Sequence, residues 1–252
     1  MAIYPNQGTR AIVTTSWDDG DLLDLKLAEM LRARGVSATF YIPIQPYRKQ
    51  SLSHAQLRTL TEEGFEIGAH SVTHKLLDGL SNQELAAEIN PCKPILEDIV
   101  GAEVPMFCYP QGRYDANTVR ALKEAGYSGA RTVRMLATRP DFDSFQIPTT
   151  VQTFPHPPLT YLMNAAKVLN VEGLRTCFSQ RGGLRNWIEL GKRLFDSVVK
   201  NGGVWHMYGH SWEIDDLGLW KGLSELLDYV SCHKDVTYVP NCGLVRGLLV
   251  QS

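Results

Sequence analysis

The chain has 252 residues, 44% of them apolar, enough for one substantial core and within the range where α/β barrels form as single domains. Its 25 basic and 27 acidic residues give a formal charge of -2, so no cationic surplus exists to neutralise a phosphate backbone, and nucleic-acid binding is not expected. The opening MAIYPNQGTR has no basic region followed by an apolar run, and no later segment is long and apolar enough to span a bilayer. These features predict a cytoplasmic protein whose partner is a small or neutral molecule.

In chain order, AIVTTSW (Ala11–Trp17) has the composition of a strand, and LLDLKLAEMLRARG repeats leucines at helical spacing before a C-terminal glycine. VSATFYIP predicts a second strand, SHAQLRTLTEEG a helix capped by Ser53, and FEIGAH a third strand. SNQELAAEI follows, with Ser81 and Glu84 at capping-box spacing. Then come the strand VPMFCYP, the helix DANTVRALKEAG capped by Asp115, and the strand YSGAR. FQIPTT predicts a short strand. The stretch from Phe154 to Gln180 reads as loop plus a helix around Leu162 to Leu169, and residues 154–186 receive no functional role. NWIELGKRLFDSVVKNG predicts an amphipathic helix, GVWHMY a strand, GLWKGLSELLDYVSC a helix and VTYVP a last strand. About eight strand signals interleaved with helices predict one domain, 1–252, with a parallel sheet. The count favours a closed barrel over an open doubly wound sheet.

In either architecture the functional residues gather at the C-terminal ends of the strands. Asp18 and Asp19 follow the first strand, His70 and His74 the third, Tyr109 to Tyr114 the fourth, Arg131 the fifth, and His206 and His210 belong to the seventh. The sequence contains no glycine-rich phosphate loop. Five cysteines, Cys92, Cys108, Cys177, Cys232 and Cys242, form no CxxC pair and predict mostly buried thiols rather than a disulfide framework.

His70 and His74 are four apart, which brings two imidazoles to one face of a helical turn and lets both bind one ion. The intervening Ser71, Val72 and Thr73 differ from the HExxH metalloprotease helix, and two histidines also serve well as plain hydrogen-bond partners. A carboxylate such as Asp19 would complete a two-histidine, one-carboxylate site with a position left for water, and its neighbour Asp18 would be free to act as a base. The same acidic run has the composition of a helix N-terminus, the expected role of Asp21 and Asp24.

SWDDG (Ser16–Gly20) resembles the TFDDG motif of the NodB-type polysaccharide deacetylases, carbohydrate esterase family 4, and HSVTH (His70–His74) matches their HSxxH motif. The resemblance runs from Thr14 to about Pro240. It implies a distorted (β/α) barrel of seven or eight parallel strands and metal-dependent N-deacetylation of an amino sugar. Asp19, His70 and His74 would hold a divalent ion, zinc first, with cobalt, nickel or manganese as alternatives. Asp18 would be the general base. The third motif, usually RPPYG, is replaced by a YPQGRYD turn (Tyr109–Asp115) that resembles a YPxGxYD branch of the family. Cys108 stands where the arginine that holds the base is expected, and Arg131 is the candidate to replace it. The backbone amide of Tyr109 or Gln111 is expected to face the oxyanion. For the general acid, His206 aligns best with the final motif and is preferred, with His210 as the second candidate. Trp212 could stack on a sugar face.

The reading is a deacetylase of an N-acetylated saccharide or glycoconjugate precursor. Its rivals are an allantoinase-like hydrolase of a non-sugar amide and a carbohydrate-binding protein without catalysis. The sequence does not fix an oligomeric state.

Overall fold

The runs of alternating and β-branched residues form strands that lie side by side in parallel, each leading into a helix on the outside. The computed structural model describes residues 11–167 and 186–249. The strands are β1 (Ala11–Asp18), β2 (Ala38–Ile42), β3 (Glu66–Ala69), β4 (Met106–Cys108), β5 (Gly129–Arg131), β6 (Val151–Gln152), β7 (Gly203–Gly209) and β8 (Val236–Tyr238). Seven run in the order β5-β4-β3-β2-β1-β7-β6, and β8 pairs with the start of β1. The sheet is a curled, distorted (β/α) barrel, as the strand count and the motif resemblance predicted.

The curl is drawn together by the segment from Ile147 to Gln152. At its start the Ile147 amide donates to the Ala130 carbonyl (3.0 Å) and the Thr132 amide to the Ile147 carbonyl (2.8 Å), beside β5. At its end Thr150 donates to the His206 carbonyl (2.7 Å), and Val151 and Gln152 pair with Met207 and Tyr208 of β7.

Side chains alternate across the sheet. Val13, Trp17, Phe40, Ile67, Phe107 and Trp205 face the helices and form the main core. Tyr41, Met106, Cys108 and Val204 face the interior, where Leu244 and Val245 fill the space. Gly68 in β3 is needed there, because a Cβ would run into the ring of Tyr41.

The helices are α1 (Asp24–Arg32), α2 (His54–Glu62), α3 (Asn82–Ile89), α4 (Cys92–Val100), α5 (Ala116–Glu124), α6 (Pro158–Lys167), α7 (Trp187–Asn201), α8 (Ser211–Asp216), α9 (Trp220–Val230) and α10 (Asn241–Leu249). Ser53, Ser81 and Asp115 each close a reciprocal capping box. The strand pattern did not single out α4, whose Pro94 falls in the first turn, where a missing N–H costs nothing. Nor did it single out α10, the helix that supplies the interior plug. FQIPTT differs from the expected strand: Ser144–Gln146 forms a 3-10 turn capped by Asp143, and the regular pairing starts at Val151. The helix expected around Leu162 to Leu169 is α6, and Leu169 lies outside the described residues.

Among the described residues no helix is long and apolar enough to cross a membrane. Cys92 and Cys108 are buried free thiols as expected, whereas the free thiol of Cys232 is exposed and that of Cys242 half-buried; Cys177 lies outside the described residues.

Candidate metal and catalytic centre

β1 ends in two consecutive carboxylates that cannot share one direction. Asp18 is the last strand residue, and Asp19 turns into the left-handed region at φ 81. Ser71, His74 and Gln111 are also left-handed, so four of the six such non-glycine residues described sit on this rim. A left-handed conformation costs a non-glycine residue about 1–2 kcal/mol, and its concentration here marks a site where side-chain aim outweighs backbone comfort.

The turn aims Asp19 Oδ1 between two imidazoles, 3.8 Å from His70 Nε2 and 3.4 Å from His74 Nε2. Its other oxygen, Oδ2, accepts the indole N–H of Trp212 at 2.9 Å. His70 Nδ1 donates to the Cys108 carbonyl at 2.8 Å, which leaves Nε2 as the free ligand atom. The loop between the histidines is fixed by Glu88 of α3. Its Oε2 accepts the amides of Val72 (3.1 Å) and Thr73 (2.9 Å), and its Oε1 accepts the Thr73 hydroxyl (2.6 Å). Burial pulls the His70 pKa down to about 4, outweighing the pull of Asp18 and Asp19, so the ring is neutral and able to ligate.

These three side chains fit a divalent ion. Asp19 Oδ1 is buried with no hydrogen-bond partner, an uncompensated position for a carboxylate oxygen unless a cation completes it. Ligands held at about 2.0–2.1 Å around a tetrahedral ion lie about 3.3–3.4 Å apart, close to the spacing here. The ligand atoms of Asp19, His70 and His74 all lie within 4.8 Å of one another. Asp18, His70 and Cys108 satisfy the same spacing, but Arg131 already occupies Asp18, and burial pushes the Cys108 thiol well above its usual range.

Asp18 forms a buried ion pair with Arg131, which reaches in from the end of β5. Cys108 and Arg131 are register partners on β4 and β5, so the guanidinium reaches the base from one strand further along while the small thiol leaves it room. The rings of Tyr208 (4.8 Å) and Tyr41 (5.3 Å) cover the guanidinium. Burial works to raise the Asp18 pKa, but Arg131, His70 and His210 together hold it below the usual carboxylate value.

The β1–β7 register pairs Thr14 with His206 and Trp17 with Gly209, so the next residue, His210, comes level with Asp18. His210 Nε2 lies 3.9 Å from Asp18 Oδ2, and its Nδ1 lies 3.2 Å from Glu213 Oε2, one turn along α8. Burial opposes protonation of His210, but the Glu213 hydrogen bond and the charges of Asp18 and Asp19 outweigh it and raise its pKa.

These groups line an open cavity of about 330 Å³ that exposes Asp18, Asp19, His74 and His210. Gln111, Trp212, Tyr47, Gln152 and Tyr208 form its walls. Trp212 packs against the guanidinium of Arg48 (4.1 Å), and Tyr47 stacks on His74 (4.0 Å).

Two expected site residues lie elsewhere. His206, preferred as the acid, does not line the cavity; it sits four residues below Asp18, about 13 Å along the strand at about 3.3 Å per residue. It is 1% exposed, with Nδ1 donating to the Pro148 carbonyl (3.0 Å) and Nε2 accepting from Ser16 (2.9 Å). Tyr109, expected near the oxyanion, is buried off the cavity. Its hydroxyl donates to the Phe145 carbonyl (2.9 Å), and its amide is turned to the Arg131 carbonyl (3.4 Å). Asp24, expected at a helix N-terminus, stands in the first turn of α1 but is wholly buried, and burial lifts its pKa well above the usual value.

Glu88, Glu213 and Gln152 were missed. Each acts through a neighbour in space, and of their contacts only those of Glu213 with His210 and of Gln152 with His156 are close in sequence.

The sequence profile of the polysaccharide deacetylase family matches residues 6–130, the stretch that carries the carboxylate pair, both histidines and the YPQGRYD turn. The chain belongs to the NodB-homology polysaccharide deacetylase family. This family member is 28% identical over 129 residues to YxkH of Bacillus subtilis (strain 168), named as a polysaccharide deacetylase. That match covers 50% of this chain and 46% of YxkH, a little under half of the relative's length. Crystal structures of proteins named as polysaccharide deacetylases share the fold. The one from Mycobacterium smegmatis has TM-score 0.70 and 17% identity, over 98% of this chain and 93% of that one. The one from Pseudomonas aeruginosa PAO1 has TM-score 0.71 and 14% identity, over 96% and 92%. Arg131 and His210 lie beyond the matched profile, so their part in this deacetylase homologue rests on geometry.

Proposed function

We propose that the chain, acting as one domain, is a metal-dependent N-deacetylase of an acetylated amino sugar. The observation that carries this reading is the buried, unpartnered Oδ1 of Asp19 aimed between the Nε2 atoms of two histidines, with Asp18 and His210 lining the same opening 3.9 Å apart.

Asp19, His70 and His74 would hold the ion. When bound, a divalent ion acts as a Lewis acid for the acetamide carbonyl and lowers the pKa of water. Asp18 has Oδ1 committed to Arg131 and Oδ2 turned toward His210, so Oδ2 is the oxygen that takes a proton from the attacking water. The ion pair keeps Asp18 ionised and fixes its direction. His210 gives a proton from Nε2 to the departing nitrogen, while Glu213 holds Nδ1 and stabilises the imidazolium. Gln111, on the cavity wall, is the remaining candidate for the oxyanion, and Trp212 holds Asp19.

The test is acetate release from N-acetylglucosamine oligomers by the zinc-loaded chain, run beside hydrolysis of a cyclic ureide. Turnover of the oligomer, lost in Asp18→Asn with zinc content unchanged, supports the proposal. Turnover of the ureide alone supports the allantoinase-like alternative, and oligomer binding without turnover supports a binding protein.

A further inference from the structure

β6 is only two residues long, yet it brings Gln152 directly opposite Tyr208 at the top of β7. Gln152 is 8% exposed and lines the cavity, and the hydrolysis described above leaves it without a task. Its Oε1 accepts two hydrogen bonds, from the Tyr208 hydroxyl (2.7 Å) and from His156 Nε2 (2.7 Å). Two donors on one oxygen leave the carboxamide a single orientation, with its NH2 group on the far side. There Nε2 lies 3.4 Å from Glu213 Oε2, the same oxygen that lies 3.2 Å from His210 Nδ1. Tyr208 also works in the other direction, its ring packing on the Arg131 guanidinium that grips Asp18. Tyr208 therefore touches the base arm through its ring and reaches the acid arm through Gln152.

We propose that Tyr208 and Gln152 are positioning residues that hold the acid arm, His210 with Glu213, in alignment with the base arm, Asp18 with Arg131. The carboxamide keeps Glu213 Oε2 on Nδ1 and so keeps Nε2 directed at the place where the leaving nitrogen stands. His156 closes the network from the loop after β6, turning the amide the same way. Catalytic groups act only when held to a fraction of an ångström, and a buried network with every member satisfied is how a fold does this.

The inference rests on His210 being the acid, and its test separates the two claims. In the zinc-loaded full chain with an N-acetylglucosamine oligomer, Gln152→Ala lowers kcat about tenfold with KM within about twofold. Tyr208→Phe, which keeps the ring over Arg131 and removes only the hydroxyl, lowers kcat about threefold. In the His210→Ala background Gln152→Ala costs nothing further, because a positioning residue has no effect once its client is gone. Additive losses, or a change confined to KM, overturn the inference while leaving the acid assignment intact. A His210→Ala variant of undiminished kcat overturns both. Proton NMR gives a readout independent of turnover: the His210 Nδ1–H resonance, protected by Glu213, is broadened by solvent exchange in Gln152→Ala and in Tyr208→Phe. A resonance unchanged in both variants overturns the inference even where no substrate is turned over.

Discussion

His206 in β7 and His210 just beyond its end are both shielded by the fold and stand four residues apart, yet they belong to different worlds. His206 is surrounded by groups that satisfy it: the Pro148 carbonyl, the Ser16 hydroxyl and, at 3.4 Å, the amide of Asn241, which also binds Thr14 and Tyr41. His210, 22% exposed at its side chain, meets a carboxylate on each side and an open cavity. Below the rim, the polar side chains around His206 satisfy one another in the barrel interior. At the rim, polar atoms are left unmatched and backbone is bent into left-handed shapes to leave them so. Burial and residue type do not separate structure from chemistry here; the completeness of the hydrogen bonding does.

Substitutions should break this contrast in a definite order. Asp18→Asn removes the proton acceptor but keeps the shape, and kcat of the folded fraction should fall about 10²–10⁴-fold with zinc binding retained, while the melting temperature drops because the buried Arg131 loses its counter-charge. His210→Ala should lower kcat about 10²-fold or more at similar stability, whereas His206→Ala should cost about 1–3 kcal/mol in urea unfolding by leaving Ser16 and the Pro148 carbonyl unpaired, with kcat of the folded fraction retained. Equal loss of kcat in both variants would erase the distinction. Glu88→Ala frees the loop between His70 and His74 and should weaken zinc affinity about 10–100-fold in competition with a chelator.

The smallest effect concerns pH. Burial, helped by the Arg131 charge, holds His206 at about 3 in the fold against an ordinary value of 6.5. Below pH 6.5 the unfolded chain takes up a proton that the folded chain refuses, so stability falls as pH drops from 6.5 toward 3, by at most about 1.4 kcal/mol per pH unit for this group. Urea unfolding of the metal-free protein between pH 7 and 5 should show this slope, made shallower by His206→Gln. In catalysis the signs run otherwise: the depressed Asp18 keeps the base ionised into acid conditions, and the raised His210 pKa moves the alkaline loss of activity upward.

Much of this was legible in the sequence because it is local. The alternation of strand and helix pointed to the barrel, and the spacing of His70 and His74, with Asp19 at a neighbouring strand end, marked a candidate ligand set whose side chains the fold brings together. Arg131 was placed near Asp18 from its position at a strand end, and the ion pair exists. What failed depended on register. Choosing between His206 and His210 needs the knowledge that Trp17 pairs with Gly209, which no pattern within one strand contains. Tyr109 failed for a related reason: next to the left-handed Gln111 the chain turns, and Tyr109 is left buried off the cavity, stacked on Tyr114 with ring centroids 4.2 Å apart. Glu88, Gln152 and Glu213 act through hydrogen bonds, and the contacts of Glu88 with Thr73 and of Gln152 with Tyr208 and Glu213 join segments that only the fold brings together.

The central claim is that one divalent ion is held by a carboxylate and two imidazoles from β1 and the β3 loop. The most direct measurement is a crystal soaked in zinc and recorded at the zinc absorption edge. The account predicts a single anomalous peak within bonding distance of Asp19 Oδ1, His70 Nε2 and His74 Nε2. A peak on Asp18 and Cys108 instead, or no peak in a crystal whose cavity is open to solvent, would contradict it.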